Sequence, residues 1–231
     1  MIAIIDYNMG NIQSITNAFK LVADDIIVTD TKSDLEKASA IILPGVGAFG
    51  DGMRNLKRLD LINTLTNEVV SKKKPFLGIC LGMQFLATRG YEYGENNGLC
   101  WIKGQVKKIV PEDSSYKIPH MGWNNTKILK KSDLFKDIND DPVFYFVHSY
   151  CFIPDKQSEQ YVTSICHHGT TIAASLQKDN IFGVQFHPEK SQGTGLKLLN
   201  NFLEYINKNA ETQINSNPFV QERENCTEYR V

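Results

Sequence analysis

Apolar positions in the first eighty residues fall into short continuous runs separated by stretches of helical spacing. Ile2-Ala3-Ile4-Ile5 is followed by Ile12, Ile15, Phe19 and Val22 at intervals of three and four, and then by the β-branched run Ile26–Thr29. Short apolar runs predict buried strands, and the three-to-four spacing predicts an amphipathic helix. The alternation continues with a strand at Ala40–Leu43, stopped by Pro44-Gly45, and with Leu61, Leu65 and Val69 on one helical face. Ser33-Asp34-Leu35-Glu36 fits a capping box opening a short helix. Residues 75–79 form a fourth expected strand, and residues 83–89 an expected helix closed by Gly90. Strands alternating with helices imply a parallel sheet covered on both faces.

The second half reads differently. Residues 102–110, 125–129, 143–150, 161–167, 171–177 and 181–186 are β-rich and joined by short polar turns. They predict added antiparallel strands and hairpins, and with the first half a mixed α/β sheet. Leu196, Leu199, Phe202, Leu203 and Ile206 then define one amphipathic helix. Beyond it the pattern ends. The expected organisation is one domain over residues 1–206 and a polar tail over 207–231, read as disordered or as a partner-docking segment.

The chain has 231 residues, 42% apolar and 22% charged, which suits one large globular domain. Twenty-five basic side chains balance 26 acidic ones, so no global field draws it to nucleic acid or anionic lipid. No apolar run approaches the roughly 18–20 residues that span a bilayer. The run at residues 2–5 lacks a basic leader and reads as a strand rather than a signal peptide. The five cysteines, Cys80, Cys100, Cys151, Cys166 and Cys226, are odd in number and lack C-x-x-C spacing. Neither a disulfide framework nor a zinc site is expected, and the expected compartment is the reducing cytoplasm. His120, His148, His167 and His168 lack ligand-like partners at helical spacing, so no metal is expected. Cys100, Cys151 and Cys166 read as small hydrophobes, and Cys226 as an exposed thiol in the tail. No phosphate loop or dinucleotide fingerprint is present, and no cofactor is expected.

The chemistry centres on Gly78-Ile79-Cys80-Leu81-Gly82, between an expected strand and an expected helix. This is a G-x-C-x-G form of the nucleophile elbow, whose glycines permit a sharp turn that lifts Cys80 to the sheet edge. A helix N-terminus after the cysteine favours thiolate. Taken alone, the same pattern also suits a buried structural cysteine. His187-Pro188-Glu189 follows the last strand. In an extended segment residues 187 and 189 project to one side, so Glu189 is placed to orient His187. A surface turn would carry the same residues. Pro44-Gly45-Val46-Gly47 ends a further strand and, with the N–H of Leu81, offers backbone donors to an oxyanion. All three segments would lie beyond the carboxyl ends of parallel strands, where ligands bind in open α/β sheets.

The motifs GICLGMQ (78–84) and GVQFHPEKS (183–191) resemble those of class I glutamine amidotransferases. DYNMGN (6–11), LPGVGAFGDGM (43–53), IPHMGWN (118–124) and YFVHSY (145–150) narrow the resemblance to the glutaminase subunits of imidazole glycerol phosphate synthases. It covers residues 1–206 and implies a three-layer α/β/α domain with a mixed central sheet. It implies Cys80 as nucleophile, His187 as acid and base, and Glu189 as its orienter. Val46, Gly47 and Leu81 would hold the oxyanion, and Gly47, Gln84, Ser149 and Tyr150 the substrate L-glutamine. Asn11, Trp123, Tyr145 and Lys190 would meet a (β/α)₈ cyclase subunit in a heterodimer. Each also has a plainer reading: Asn11 as a helix cap, Trp123 and Tyr145 as packed aromatics, Lys190 as a solvated charge. The implied reaction is hydrolysis of glutamine, with ammonia passed to the cyclase for imidazole glycerol phosphate formation in histidine biosynthesis. A paralogous glutaminase feeding a sugar amidotransferase in surface polysaccharide synthesis shares the motifs near Cys80. A stand-alone γ-glutamyl hydrolase leaves the partner-facing motifs unexplained, and a purely regulatory subunit would not need the triad.

Overall fold

The computed structural model describes residues 1–215. Strands β1 (Ile2–Ile5), β2 (Ile26–Thr29), β3 (Ala40–Leu43) and β4 (Phe76–Ile79) alternate with helices α1 (Ile12–Lys20), α2 (Lys32–Lys37), α3 (Phe49–Arg58) and α4 (Ile62–Thr66). A π-helical turn, Asn67–Ser71, prolongs α4, and a one-turn helix, α5 (Leu81–Gln84), follows β4. The chain then runs through β5 (Arg89–Gly90), β6 (Asn96–Asn97), β7 (Gly104–Lys108), β8 (His120–Asn125) and β9 (Lys127–Ile128). It continues through β10 (Val143–His148), β11 (Tyr150–Pro154), β12 (Val162–His167), β13 (Thr171–Lys178) and β14 (Ile181–Val184) to α6 (Gln192–Asn215).

Eight strands form the central sheet in the order β2-β1-β3-β4-β14-β13-β12-β9. The pairs from β2 to β14 are parallel, and those from β14 to β9 antiparallel. The sheet is therefore mixed, as the change of pattern along the chain predicts. Its central strands are buried on both faces, which is why they read as unbroken apolar runs. Alternation sorts their side chains between two cores. Ile2, Ile4, Ile42, Leu77 and Phe182 pack with Ile15 and Phe19 of α1 and Leu198, Leu199 and Phe202 of α6. Ala3, Ile5, Ile41, Leu43 and Phe76 pack with Leu35 of α2, Leu56 of α3 and Leu65 of α4. Two smaller sheets, β10-β8 and β11-β7-β5-β6, stand against this frame.

Several elements depart from the sequence reading. Helix α3 is not announced by the pattern, because Gly50 and Gly52 lower helix propensity in its first turn. The helix expected over residues 83–89 is confined to Leu81–Gln84, and Arg89–Gly90 is a strand paired with β6 and β7. The cap of α2 is Thr31 rather than Ser33; the hydroxyls of Thr29 and Thr31 donate to Asp34 at 2.6 and 2.9 Å. The run 143–150 is two strands that separate at Ser149 and join different sheets. Strand β8 begins at His120, ahead of the expected 125–129 strand. Cys100 is exposed rather than packed, whereas Cys151 and Cys166 are buried. Burial pushes the Cys151 thiol up to about 11 and the Cys166 thiol up to about 12. Helix α6 runs on past residue 206 to Asn215; the rest of the expected tail, with Cys226, lies outside the described residues.

Candidate active site

β4 ends in the middle of the sheet, and the chain must turn within one residue to start α5. Cys80 makes that turn at φ +53°, ψ −105°, outside the regions a non-glycine residue ordinarily occupies. The turn is held by packing: the Cys80 N–H donates to Val184 O at 2.7 Å, and a Cβ on Gly82 would lie 1.7 Å from Leu43 O. Only glycine lets α5 approach β3 this closely. Cys80 is 5% exposed. Because α5 is one turn long, the dipole of a long helix is not available to the sulfur; its polar neighbour is instead the side chain of Gln185, whose Nε2 donates to Sγ at 3.6 Å.

His187 follows β14, the parallel neighbour of β4, and is 3% exposed. Its Nδ1 meets Glu189 Oε1 at 2.7 Å, but a 3-10 turn over Pro188–Lys190, rather than the expected extended segment, brings the carboxylate to the ring. A carboxylate only accepts, so Nδ1 carries a proton. Nε2 is buried without a hydrogen-bond partner, as is Glu189 Oε2. Burial opposes charge on this ring, but Cys80 and the Glu189 carboxylate outweigh it and raise His187 to about 10. Cys80, His187 and Glu189 thus form one buried, electrostatically coupled group.

The backbone donors are arranged otherwise. The Leu81 N–H donates to Gly45 O at 3.3 Å, and the Val46 N–H donates to Met9 O at 2.7 Å. Two of the three expected oxyanion donors, those of Val46 and Leu81, are therefore engaged within the protein. A Cβ on Gly45 would lie 2.1 Å from the Tyr7 hydroxyl, so the turn rests directly on that buried phenol. Gly47 sits at φ +97°.

Beside Cys80 opens a cavity of about 510 Å³, lined among others by Val46, Gly47, Gln84, Ser149, Tyr150 and Lys190. It thus gathers all four expected substrate contacts. The break between β10 and β11 is what turns Ser149 and Tyr150 into its wall. Gln84 Nε2 donates to Tyr150 O at 2.9 Å and to Gln185 Oε1 at 3.1 Å. Glu92 lines the cavity too and accepts from the Phe49 N–H at 2.9 Å. The sequence reading missed Glu92 and Gln185; the position of Gln185 two residues before His187 was the available signal for the latter.

Of the four expected partner-facing residues, Lys190 lines the cavity, and the other three are linked to it outside that lining. Trp123 and Tyr145 are cross-strand neighbours on β8 and β10, with rings edge to face at 5.9 Å. Lys190 Nζ stands 5.7 Å over the Tyr145 ring. Trp123 is 49% exposed, so it is not a packed core aromatic. Asn11 does cap α1, its Oδ1 accepting from the Ser14 N–H at 3.3 Å, and it also lies beside Pro44, Glu189 and Lys190. The Tyr145 backbone is bonded to the histidine loop in both directions: its O accepts from the His187 N–H at 2.8 Å, and its N–H donates to Ser191 Oγ at 3.0 Å. The Ser191 hydroxyl in turn donates to His187 O at 2.7 Å.

Comparison with known proteins gives the family. The imidazole glycerol phosphate synthase subunit HisH 1 of Campylobacter jejuni strain 81-176 is 49% identical over 87% of this chain and 98% of its own length. The HisH subunit of Pelagibacter ubique is 45% identical over 87% and 98%. In fold, the chain is similar to one in the PurLQS structure from Thermotoga maritima, with a TM-score of 0.67, 19% identity, and 89% and 98% of the two chains covered. The family model for class-I glutamine amidotransferases matches residues 3–206. The chain is thus an enzyme of the class-I glutamine amidotransferase family and belongs among the HisH glutaminase subunits of imidazole glycerol phosphate synthase.

Proposed function

We propose that the chain hydrolyses L-glutamine to L-glutamate and ammonia through Cys80, His187 and Glu189. The observation that carries this reading is a strained, buried cysteine coupled to an imidazole that a carboxylate holds at 2.7 Å. The Cys80 thiolate attacks the side-chain amide carbon of glutamine. His187, protonated in the resting pair, gives its Nε2 proton to the departing ammonia and leaves a γ-glutamyl thioester on Cys80. The same nitrogen then takes a proton from water, whose hydroxide adds to the thioester and releases glutamate. Glu189 keeps Nδ1 protonated throughout. Glu92 supplies a negative charge for the α-ammonium of glutamine, and Gln84, Ser149 and Tyr150 border the chain of the substrate.

The oxyanion is served by backbone N–H groups near Val46, Gly47 and Leu81, and the two that are engaged, those of Val46 and Leu81, are released by one movement. The peptide between Gly45 and Val46 carries both the carbonyl bonded to Leu81 and the N–H bonded to Met9. Rotation of that single unit frees both donors. The free subunit is accordingly a slow glutaminase, and a (β/α)₈ cyclase subunit, docked at Asn11, Trp123, Tyr145 and Lys190 as a heterodimer, turns the peptide and receives the ammonia. The acceptor reaction makes imidazole glycerol phosphate in histidine biosynthesis, in the cytoplasm. Labelling with a glutamine-like diazo-ketone tests the nucleophile: Cys80 alone is modified. Modification mainly elsewhere, with glutaminase activity intact in Cys80→Ser, overturns the reading. Titration with the cyclase tests the acceptor: no binding and no stimulation would reassign the ammonia to another enzyme.

A further inference from the structure

A second buried cluster borders the cavity, with His148 in its wall and His120 beyond. His120 on β8 and His148 on β10 are direct cross-strand partners, 2% and 6% exposed, with His120 Nδ1 and His148 Nε2 3.0 Å apart. Neither ring is part of the chemistry described above. Their hydrogen bonds nevertheless have only one consistent direction. Tyr150 O lies 2.8 Å from His148 Nδ1 and can only accept, so Nδ1 carries the proton and Nε2 of the neutral ring is bare. That bare nitrogen must accept from His120 Nδ1. His120 Nε2 is then bare as well, and it accepts from Asn124 Nδ2 at 3.0 Å. The amide orientation of Asn124 is fixed independently, because the same Nδ2 donates to His167 O at 2.8 Å. A backbone carbonyl therefore sets the direction at each end, and the two settings agree.

The order continues into the cavity. Tyr150 O also accepts from Gln84 Nε2, which donates to Gln185 Oε1 as well, and Gln185 Nε2 donates to Cys80 Sγ. Both histidines must be neutral for this to hold, since a second proton on either ring would set one N–H against another. Burial, with His148 and His168 nearby, brings His120 down to about 3. Burial, against the bond to Tyr150 and with His187 and His168 nearby, brings His148 down to about 4. Packing fixes the ring planes: His120 is stacked between Phe146 at 4.7 Å and His168 at 4.2 Å. A metal is a poor alternative occupant, because stacked rings do not converge on one point and the facing nitrogens are already bonded.

We propose that His120 and His148 are positioning residues that hold the Tyr150 carbonyl and, through it, the side-chain amide of Gln84 in the orientation that receives glutamine. The proposal rests on the glutaminase reading of the cavity. Its consequence is specific. His120 does not line the cavity, yet breaking its bond to His148 leaves a bare buried nitrogen that draws His148 out of line and loosens the carbonyl beyond it.

The test uses the full chain with its cyclase. ¹⁵N-histidine NMR of the wild-type protein at neutral pH should show both rings neutral and protonated at Nδ1. A charged ring, or the opposite tautomer at either position, overturns the proposal whatever the activity. Steady-state kinetics of His120→Phe, which keeps the stacking, should show the KM for glutamine raised about tenfold with kcat changed less than threefold. His120→Gln, which retains a donor and an acceptor, should recover most of that loss. A folded His120→Phe with wild-type KM overturns the proposal. If His120→Phe does not fold, the NMR result and the His120→Gln kinetics decide: an unchanged KM supports the proposal only with both rings in the stated tautomer. A wild-type protein that neither hydrolyses glutamine nor labels at Cys80 instead refutes the glutaminase reading, and the tautomers still report on the hydrogen-bond order itself.

Discussion

The two halves of the proposed reaction centre are in different states of readiness. On one side the thiol, imidazole and carboxylate are assembled: Cys80 is held in its turn by Val184 and by contact with β3, and His187 meets Glu189 at 2.7 Å. On the other side the N–H groups of Val46 and Leu81, the proposed oxyanion donors, are bonded to Met9 and Gly45. The assembled half is built from parallel strands buried on both faces, where a shift of one group disturbs many contacts. The unassembled half is a glycine-containing turn that rests on Tyr7 and is tied by those two backbone bonds. In the proposed mechanism, rotation of one peptide controls the rate, while the packed strands fix the thiol, imidazole and carboxylate.

Experiment can separate the two halves: damage to the assembled half lowers basal and partner-stimulated rates together, whereas damage to the other half changes their ratio. The largest effect is expected from Cys80→Ser, which should lower both rates by at least about 10⁴-fold, the scale seen when a triad member is lost. Glutamate release measured with and without cyclase checks this. Next, the cyclase and its ligand should raise wild-type kcat by about 10²–10³-fold, the worth of one oxyanion donor. Equal turnover with and without partner would show that the Gly45–Val46 peptide gates nothing. Glu189→Gln should lower both rates by about 10²-fold and leave their ratio near the wild-type value; a changed ratio would mean the halves are not separable. Trp123→Ala should weaken cyclase affinity by about 30-fold, the equivalent of about 2 kcal/mol at an interface hot spot. Calorimetric titration reads it directly.

The smallest effect concerns pH. His187 titrates at about 10 in the folded protein, above the ordinary value of 6.5. A raised value means that the folded state holds the proton more tightly, so this contribution to stability is complete below about 6.5 and is lost as pH rises through about 10. Urea unfolding at a series of pH values should show that loss, and in Glu189→Gln it should be smaller and end at lower pH. An unchanged profile in Glu189→Gln would remove the carboxylate from the account of the assembled half.

What could be read from the chain follows the same division. Cys80 was legible because an elbow needs a strand before it and small residues at fixed offsets, all within five positions. The pairing of His187 with Glu189 was legible from their two-residue spacing, but the backbone that achieves it is a 3-10 turn over Pro188–Lys190 rather than the extended segment expected. The parallel strands announced themselves as apolar runs because both faces are covered. Helix α3 was hidden by Gly50 and Gly52, whose weak local preference is overridden by tertiary packing. The parting of β10 from β11 at Ser149 was hidden because the run 143–150 has one continuous strand-like pattern. The pairing of His120 with His148 comes from register between strands 28 positions apart, which no local spacing encodes. The engagement of Val46 and Leu81 depends on the orientation of a peptide plane, to which side-chain identity is nearly blind.

The hydrogen-bonded loop that joins Tyr145 to His187 and Ser191 also bears on how this molecule can change over generations. Two of its three bonds tie β10 of the outer sheet to the segment after β14, and they involve main-chain atoms of Tyr145. Side chains on the exposed face of β8 and β10 can therefore be exchanged one by one, and a new partner recruited, without disturbing the imidazole. An insertion or deletion within β10 is another matter. A slip of one residue would turn the strand's buried and exposed faces over and remove both ties at once. The outer sheet is free to drift in sequence but held to a fixed length. Lineages that adopt new partners should differ in which residues they display there, and should keep the same count of residues between the histidine-bearing end of β10 and its turn.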